Sequence, residues 1–362
     1  MIRKLLLSLL LVLALLALAG ALLAAEWQRR WQVPLAIPDD GFVLQVAAGD
    51  SLRTVVDSLH RAGILAYPRV ALLYGRWTGA DQKIRHGEYQ LEREITVEQL
   101  LLLLQSGKVI QYQVTLPEGI TLSRTLEILA DKEELVGELH GREDPRILEL
   151  VQPYAAAEGL FFPDSYHFTR GTTDWQILQR AHAKMVSVLE EEWAERAENL
   201  PFETPYEALI MASIIERETG LPEEREEIAG VFLRRLQRGM RLQTDPTVIY
   251  GLGDKFDGNL RRRDLRDETN PYNTYRHKGL PPTPIALPGR AAIHAAVHPA
   301  DGEALYFVAR GDGGHVFSAS LAEHEKAVRK YQLQRRKDYR SSPGQASSVP
   351  DSSRQDPQAR KE

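Results

Sequence analysis

The chain has 362 residues, and its 45 Lys and Arg residues against 50 Asp and Glu residues give a formal net charge of −5. Proteins that bind nucleic acid through its phosphates usually carry a basic excess, so the charge disfavours that class. The absence of cysteine excludes disulfide scaffolds, thiolate metal sites and a cysteine nucleophile. The length predicts about two domains.

The chain begins with an uncharged apolar segment, Leu5–Ala25, directly after Arg3 and Lys4. As a helix it is about 31 Å long, which is enough to cross a hydrocarbon core of about 30 Å. Two interpretations remain open. The small residues at 19–21 offer a signal-peptide cleavage site, whereas the length and the following Trp27 and Trp31 favour an uncleaved anchor over residues 1–25. Both interpretations export the rest of the chain.

A strand–turn–helix pattern occurs three times after a Pro-containing linker at residues 26–40. The three helices are predicted to begin after the capping residues Ser51, Thr96 and Thr121. The pattern fits either three tandem copies of one module or ordinary α+β packing. Residues 41–110 resemble a LysM-like glycan-binding module. Because this segment holds no cluster of acid, base and nucleophile, we expect it to position the protein on glycan or beside a membrane.

Residues 111–339 are predicted to form a larger, mainly helical domain with a small sheet, which makes the fold class α+β. The predicted elements are helices from Trp175 to about Asn199, Pro205 to Thr219 and Glu223 to Arg238, and a hairpin of Leu305–Val308 and Val316–Ser318. Residues 340–362 contain almost no apolar side chain and are predicted to be disordered.

The second of these helices is apolar almost all round and ends in two acids, Glu216 and Glu218. A carboxylate at a helix C-terminus is disfavoured by the macrodipole, and partial burial would raise its pKa and keep a proton available for general-acid catalysis. The alternative is that both side chains simply emerge into solvent. The two residues lie about 200° apart around the axis, so they point to opposite sides of the helix.

Several ordered motifs resemble the endolytic murein transglycosylase family (MltG, YceG-like). They are Ala212–Thr219, Gly239–Gly251, Tyr272–Tyr275, Gly279–Pro282, Glu158–Asp164 and Gly313–Phe317. The resemblance implies a lyase of the bacterial inner membrane, single-pass and with its catalytic domain in the periplasm, that cuts the MurNAc-GlcNAc bond within peptidoglycan strands. It also implies that Glu218 is the catalytic acid, and it makes peptidoglycan synthases candidate partners.

A lytic enzyme needs one carboxylate, because the 6-hydroxyl of the substrate's own muramic acid attacks the anomeric carbon. A hydrolase of the same bond needs a second carboxylate, for which Asp164 and Asp245 are candidates. A third hypothesis is a non-catalytic glycan-binding or assembly protein.

The remaining candidates are weaker. Glu216 is predicted to support the helix end. His294 and His298 have the spacing of a helical metal pair, but Ala295 stands where a zincin has Glu, so neither metal nor cofactor is expected. Candidate glycan-contacting residues are Gln243, Asp245, Tyr272, Asn273, Tyr275 and His315. The alternatives are loop packing for Gln243, Tyr272, Asn273 and Tyr275, turn chemistry for Asp245, and anchoring of the hairpin for His315.

Overall fold

The computed structural model describes residues 2–333, so the predicted disorder of residues 340–362 lies outside the described part. The chain forms two compact units. The first holds the chain up to Gln113 together with two short returning segments, Glu133–Val136 and His167–Thr173. The second holds Val114–Lys132, Gly137–Tyr166 and the chain from Asp174 onward.

The first unit is a two-stranded antiparallel sheet packed against short helices. Its elements are α1 (Ile2–Trp31), β1 (Phe42–Val46), α2 (Leu52–Arg61), α3 (Pro68–Thr78), β2 (Gly87–Leu91) and α4 (Val97–Ser106). Phe42 pairs with Leu91 and Val46 with Gly87. The predicted caps are confirmed, since the Ser51 side chain accepts from Thr54 and Thr96 forms a capping box with Gln99.

The first two strand–turn–helix repeats share one hydrophobic core, to which α2 and α4 both contribute. Their strands pair with each other, whereas the strand of the third repeat, β3 (Tyr112–Thr115), pairs with β4 (Ser165–Phe168). Three equal tandem modules are therefore wrong, and the repeats reflect ordinary α+β packing.

A buried carboxylate fixes one returning segment in the first unit. Glu88 is 7% exposed and lies 2.7 Å from the guanidinium of Arg170. The Tyr112 hydroxyl donates to the same carboxylate at 2.6 Å. A buried charge needs partners of this kind.

The second unit is mainly helical, so the mixed helix and sheet class is confirmed. Its helices are α5 (Leu122–Ala130), α6 (Pro145–Leu150), α7 (Asp174–Ala194), α8 (Pro205–Glu218), α9 (Arg225–Gln237), α10 (Asp245–Leu252), α11 (Arg290–Val297) and α12 (Leu321–Val328). The predicted hairpin is present as β5 (Tyr306–Ala309) and β6 (His315–Ser318), which pair antiparallel.

Helix α8 lies at the centre of this unit and packs against α7, α9, α10 and α11. All residues from Ala208 to Ile215 are buried, as a helix that is apolar all round requires. The sequence predicted α8, α9 and α7 to within a few residues, although α7 ends at Ala194 rather than near Asn199.

Among the described residues, one helix is long and apolar enough to span a membrane, within Leu9–Trp31. None of this apolar window is buried. A signal sequence passes the same test of length and composition.

We expect Leu104→Ala to destabilise the first unit by about 2–5 kcal/mol, because Leu104 is fully buried and its truncation leaves a cavity. Leu102→Ala in the same helix is the matched control, since Leu102 is 60% exposed and should change stability by less than about 0.5 kcal/mol. Urea unfolding of both full-length variants in detergent measures the difference. Equal losses would contradict the described packing of α4.

Candidate active site

Glu218 is the last residue of α8. The helix begins at the cap Thr204, whose side chain accepts from the Glu207 N–H, and it ends because Thr219 turns to an extended conformation, with φ −140° and ψ 140°. The residues before Glu216 are buried, and the helix leaves the core in its last turn, where Glu218 is partly buried. A short, well-packed helix therefore fixes the backbone of this carboxylate.

The carboxylate of Glu218 receives a hydrogen bond from the Thr244 hydroxyl at Oε1. Burial raises the pKa of Glu218 to about 7, and the nearby negative charge of Asp245 adds to this rise. The Thr244 hydrogen bond and the positive charge of Arg235 act in the opposite direction. Because desolvation dominates, Glu218 holds a proton in a substantial fraction of molecules near neutral pH.

Two other buried threonines, Thr247 and Thr274, hold the backbone of Thr244 in place. The Thr244 N–H donates to Thr274 Oγ1 at 3.1 Å, and the Thr247 hydroxyl donates to the Thr244 carbonyl at 2.8 Å. The hydroxyls of Thr247 and Thr274 lie 2.9 Å apart. This cluster fixes Thr244 from two segments about 30 residues apart in the chain. No local sequence pattern indicated a role for these threonines.

Besides burial, the negative charge of Asp245 raises the pKa of Glu218, and Glu218 in turn raises the pKa of Tyr275. The Tyr275 hydroxyl donates to Asp245 Oδ1 at 2.7 Å. Burial, followed by the charge of Asp245, raises the pKa of Tyr275, so this hydroxyl stays a donor. Asp245 is the first residue of α10, with Pro246 in the first turn.

Gln243 immediately precedes this group and has a left-handed backbone, with φ 54°. Its N–H donates to the Thr274 carbonyl at 3.2 Å, and the residue is exposed. A non-glycine residue in this conformation is uncommon and is often found at functional sites. Asp245 and Tyr275 thus lie near Glu218, whereas Gln243 is connected to it only as the chain neighbour of Thr244.

Glu216 points to the other side of α8. Its Oε2 accepts the Gly289 N–H at 3.0 Å, and its Oε1 lies 4.0 Å from Arg225. Burial raises the pKa of Glu216, and the Gly289 hydrogen bond opposes the rise. Between the two acids, Arg217 donates to the Gly119 carbonyl at 2.9 Å. These contacts join the end of α8 to two other segments of the unit.

The neighbouring Tyr272 and Asn273 are engaged by other residues of their loop and, for Tyr272, by α10. The Tyr272 hydroxyl lies 2.9 Å from Thr283 Oγ1, and its ring meets that of Tyr250 edge to face. Asn273 is fully buried, and its amide group donates to the carbonyls of Asp264 and Asp267.

His315 is buried beside a second carboxylate. Its backbone N–H and its Nδ1 both lie 2.7 Å from the carboxylate oxygens of Glu224. The Thr219 hydroxyl also donates to Glu224, at 3.4 Å. This network holds the residue that directly follows Glu218. Asp164, in contrast, forms an ion pair with Lys184, which lowers the pKa of Asp164.

A further buried acid, Glu158, lies within the motif Glu158–Asp164 and was not expected from its local sequence. Glu158 is 4% exposed, accepts the Leu122 N–H at 2.8 Å and accepts from the Tyr250 hydroxyl at 3.1 Å. Burial raises the pKa of Glu158. Because it accepts from the first residue of α5 and from the middle of α10, its contacts connect two helices.

One group of metal-donor side chains, Glu192, His294 and His298, brings its ligand atoms within 4.8 Å of one another. These atoms already have partners: Arg290 bonds Glu192 at 2.8 Å, and His294 Nδ1 lies 2.8 Å from the same carboxylate. Both nitrogens of His298 face backbone carbonyls, at 3.3 and 2.8 Å. The arrangement is satisfied as a hydrogen-bonded network, and a metal ion would have to displace these contacts.

Comparison with known proteins connects this site to a family. A model of the YceG-like family matches residues 44–330. A Bacillus subtilis protein named endolytic murein transglycosylase is 30% identical over 307 residues, which cover 80% of this chain and 84% of the relative. A Streptococcus pneumoniae protein of the same name is 27% identical over 78% of this chain and 57% of its own length.

A solved YceG-like protein of Listeria monocytogenes is 27% identical, covers 80% of this chain and 99% of its own, and has a TM-score of 0.48. The family model matches well over half of the chain, and the Bacillus relative aligns with most of both proteins. The chain therefore belongs to the YceG-like family.

Proposed function

We propose that this protein is an endolytic peptidoglycan lytic transglycosylase and that Glu218 is its general acid and base. The observation that carries the proposal is the carboxylate of Glu218 at the end of a buried helix, with a pKa of about 7. Such a group can both donate and accept a proton near neutral pH. The names of the relatives support peptidoglycan as the substrate class.

In the proposed reaction, protonated Glu218 gives its proton to the glycosidic oxygen as the bond from that oxygen to the anomeric carbon breaks. The 6-hydroxyl oxygen of the same muramic residue then bonds to the anomeric carbon, and its proton passes to the Glu218 carboxylate. The enzyme returns to its starting state, and the product is a 1,6-anhydro muramyl end. No water is consumed, so exclusion of water from the site favours this outcome.

A hydrolase of the same bond is the second candidate, and the position of Asp245 favours it. Of the two acids that the sequence offered as a second carboxylate, Asp245 acts on Glu218 electrostatically, whereas Asp164 is paired with Lys184. Mass spectrometry of digested glycan separates the two candidates, because hydrolysis leaves a free reducing end that is one water heavier than the anhydro end.

We further propose that Gln243, Asp245 and Tyr275 contact the glycan and that residues 41–110 act as a LysM-like positioning module. The exposure of Gln243 and Asp245 on either side of Thr244, which contacts Glu218, supports the first part. The compact core shared by β1, β2, α2 and α4 supports the second. The α1 segment would hold the protein in the bacterial plasma membrane, with the second unit outside the cytoplasm and near peptidoglycan synthases.

We expect Glu218→Gln to reduce glycan cleavage by about 10⁴-fold or more, because one group serves both halves of the reaction and general acid–base catalysis is typically worth about 10²–10⁴-fold. Glu216→Gln is the matched control, since Gln can still accept the Gly289 hydrogen bond, and it should lose much less. The number of new chain ends in treated glycan strands is the measurement, and equal thermal midpoints show that both variants fold. Loss of cleavage in Glu216→Gln but not in Glu218→Gln would contradict the proposal and identify Glu216 as the acid.

The kcat/KM for glycan should fall as the pH rises through about 7, because the free enzyme must carry the proton on Glu218. Thr244→Val removes a hydrogen bond that favours the carboxylate, so the fall should move to higher pH. Asp245→Asn removes a negative charge that disfavours the carboxylate, so the fall should move to lower pH. A fall that moves in the same direction in both variants would contradict this electrostatic account.

We expect α1 to remain uncleaved, with everything after about Glu26 outside the cytoplasm, because Arg3 and Lys4 favour a cytoplasmic N-terminus. Protease added to spheroplasts should digest the protein while a cytoplasmic marker survives. A mature protein that begins near Leu22 or Glu26 would identify the segment as a signal peptide instead.

A further inference from the structure

Helix α3 of the first unit has one buried side and one exposed side that is apolar, aromatic and basic. Its exposed residues at helical spacing are Arg69, Leu73, Arg76 and Trp77, which we call the Trp77 face. The side chain of Trp77 is 75% exposed and Leu73 is 51% exposed. Singly exposed apolar residues are ordinary, but an indole and a leucine one helical turn apart form a patch.

The Trp77 face lies beside the end of α1. The Trp31 ring, at the end of α1, lies 4.8 Å from the ring of Tyr74 and 6.2 Å from the ring of Trp77. Trp31 also packs against the core of the unit, and Arg30 lies 5.4 Å from the Tyr67 ring. The Trp77 face is thus joined to the end of the apolar helix by side-chain packing rather than by a flexible linker.

The length of α1 places this junction at the height of a membrane interface. If Leu5–Ala25 fills the hydrocarbon core, Trp31 lies about 9 Å further along the helix axis. Helical side chains tilt toward the N-terminus, so the Trp31 indole lies closer to the hydrocarbon than its backbone does. The interfacial layer is about 5–8 Å deep on each side, and tryptophan is enriched there.

The charge of the Trp77 face fits a lipid headgroup layer. The sequence of α3 contains two Arg and no acidic residue. The last turn of α1 adds Arg29 and Arg30, of which Arg30 is paired with Glu26 at 3.0 Å. A carboxylate does border the face, since Glu98 of α4 hydrogen-bonds the Tyr74 hydroxyl. Arg with Trp and Leu on one side of a helix is the composition of helices that lie in the plane of an interface.

We propose that the Trp77 face is a membrane-binding surface that rests in the headgroup layer of the bilayer that α1 spans, against anionic lipids. The proposal depends on the anchor in the proposed function. It gives the first unit two attachments to the membrane, one through the bilayer and one along its surface, and so fixes which side of this unit faces the lipid.

The absence of native cysteine allows a direct test with single-cysteine variants of the full-length protein. Spin labels are placed at Leu73→Cys and Trp77→Cys on the face, at Gln45→Cys on an exposed position of β1, and at Ala21→Cys within α1. The proteins are reconstituted in vesicles of phosphatidylethanolamine and phosphatidylglycerol. Accessibility to molecular oxygen and to a water-soluble nickel complex then reports the depth of each label.

We expect the labels at positions 73 and 77 to lose accessibility to nickel and to gain accessibility to oxygen, whereas the label at position 45 stays accessible to nickel. A deep label at position 21 with labels at 73 and 77 as accessible to nickel as that at 45 overturns the inference and leaves the anchor standing. A label at position 21 that is accessible to nickel contradicts the anchor itself.

Two alternative partners for the Trp77 face predict different labelling results, and either result would overturn the proposal. A second copy of the chain would make protection at positions 73 and 77 depend on the ratio of protein to lipid. A glycan-binding face would be protected only after soluble glycan strands are added. The double variant Arg69→Glu with Arg76→Glu should reduce protection at position 77, whereas Arg53→Glu on α2 should not. Equal protection at position 77 in the double variant and in Arg53→Glu would show that the charge of the face does not contribute to membrane binding.

Discussion

The burial of α8 is the constraint on which the candidate site depends. Eight consecutive residues, Ala208–Ile215, are buried, so the helix can present polar side chains only near its ends. At the C-terminal end the backbone carbonyls leave a partial negative charge, which disfavours a nearby carboxylate. Desolvation acts in the same direction on Glu218. The fold therefore places an acid where its ionised form is poorly stabilised, which is the condition that a general acid requires.

The same helix end is fixed by the residues on either side of that acid. Successive residues turn by about 100°, so Glu216, Arg217 and Glu218 leave the axis in three directions. Glu216 binds the N–H of Gly289, and Arg217 binds the carbonyl of Gly119. A Cβ at Gly289 would lie 1.8 Å from an oxygen of Glu118, so any larger residue there would require that exposed side chain to move. Positioning of this kind matters because an acid catalyst acts only within hydrogen-bond reach of its proton acceptor.

Local patterns in the sequence predicted much of the fold. Ser51, Thr96 and Thr121 were each expected to cap a helix, and each side chain accepts the expected N–H. Caps depend on residues three apart, so they can be read without knowing the tertiary structure. Helix α3 was missed because its apolar residues are interrupted by Gly75, where the helix needs a residue without a Cβ to approach Leu52.

The site itself was less predictable because its contacts join distant segments. Glu218 and its opposition to Glu216 follow from helical geometry, but Thr244 and Thr274 meet across 30 residues, and His315 meets Glu224 across 91. Threonine and histidine are common in loops, so nothing in their local sequence distinguishes a network from ordinary turn chemistry. Their roles became visible only through hydrogen bonds that buried polar groups must form.

The charges around Glu218 explain why burial decides its pKa. Arg235 is the nearby cation, and its guanidinium donates to the carbonyls of Leu305 and Leu242 at 2.6 Å each. Those contacts hold the positive charge of Arg235 in place, but the N–H groups that form them bond to backbone carbonyls and not to Glu218. Asp245 supplies a charge of opposite sign. Because the two charges act on Glu218 in opposite directions, the cost of removing the carboxylate from water becomes the leading effect. A fixed cation and a nearby anion thus let the packing of α8 set the proton affinity of the site.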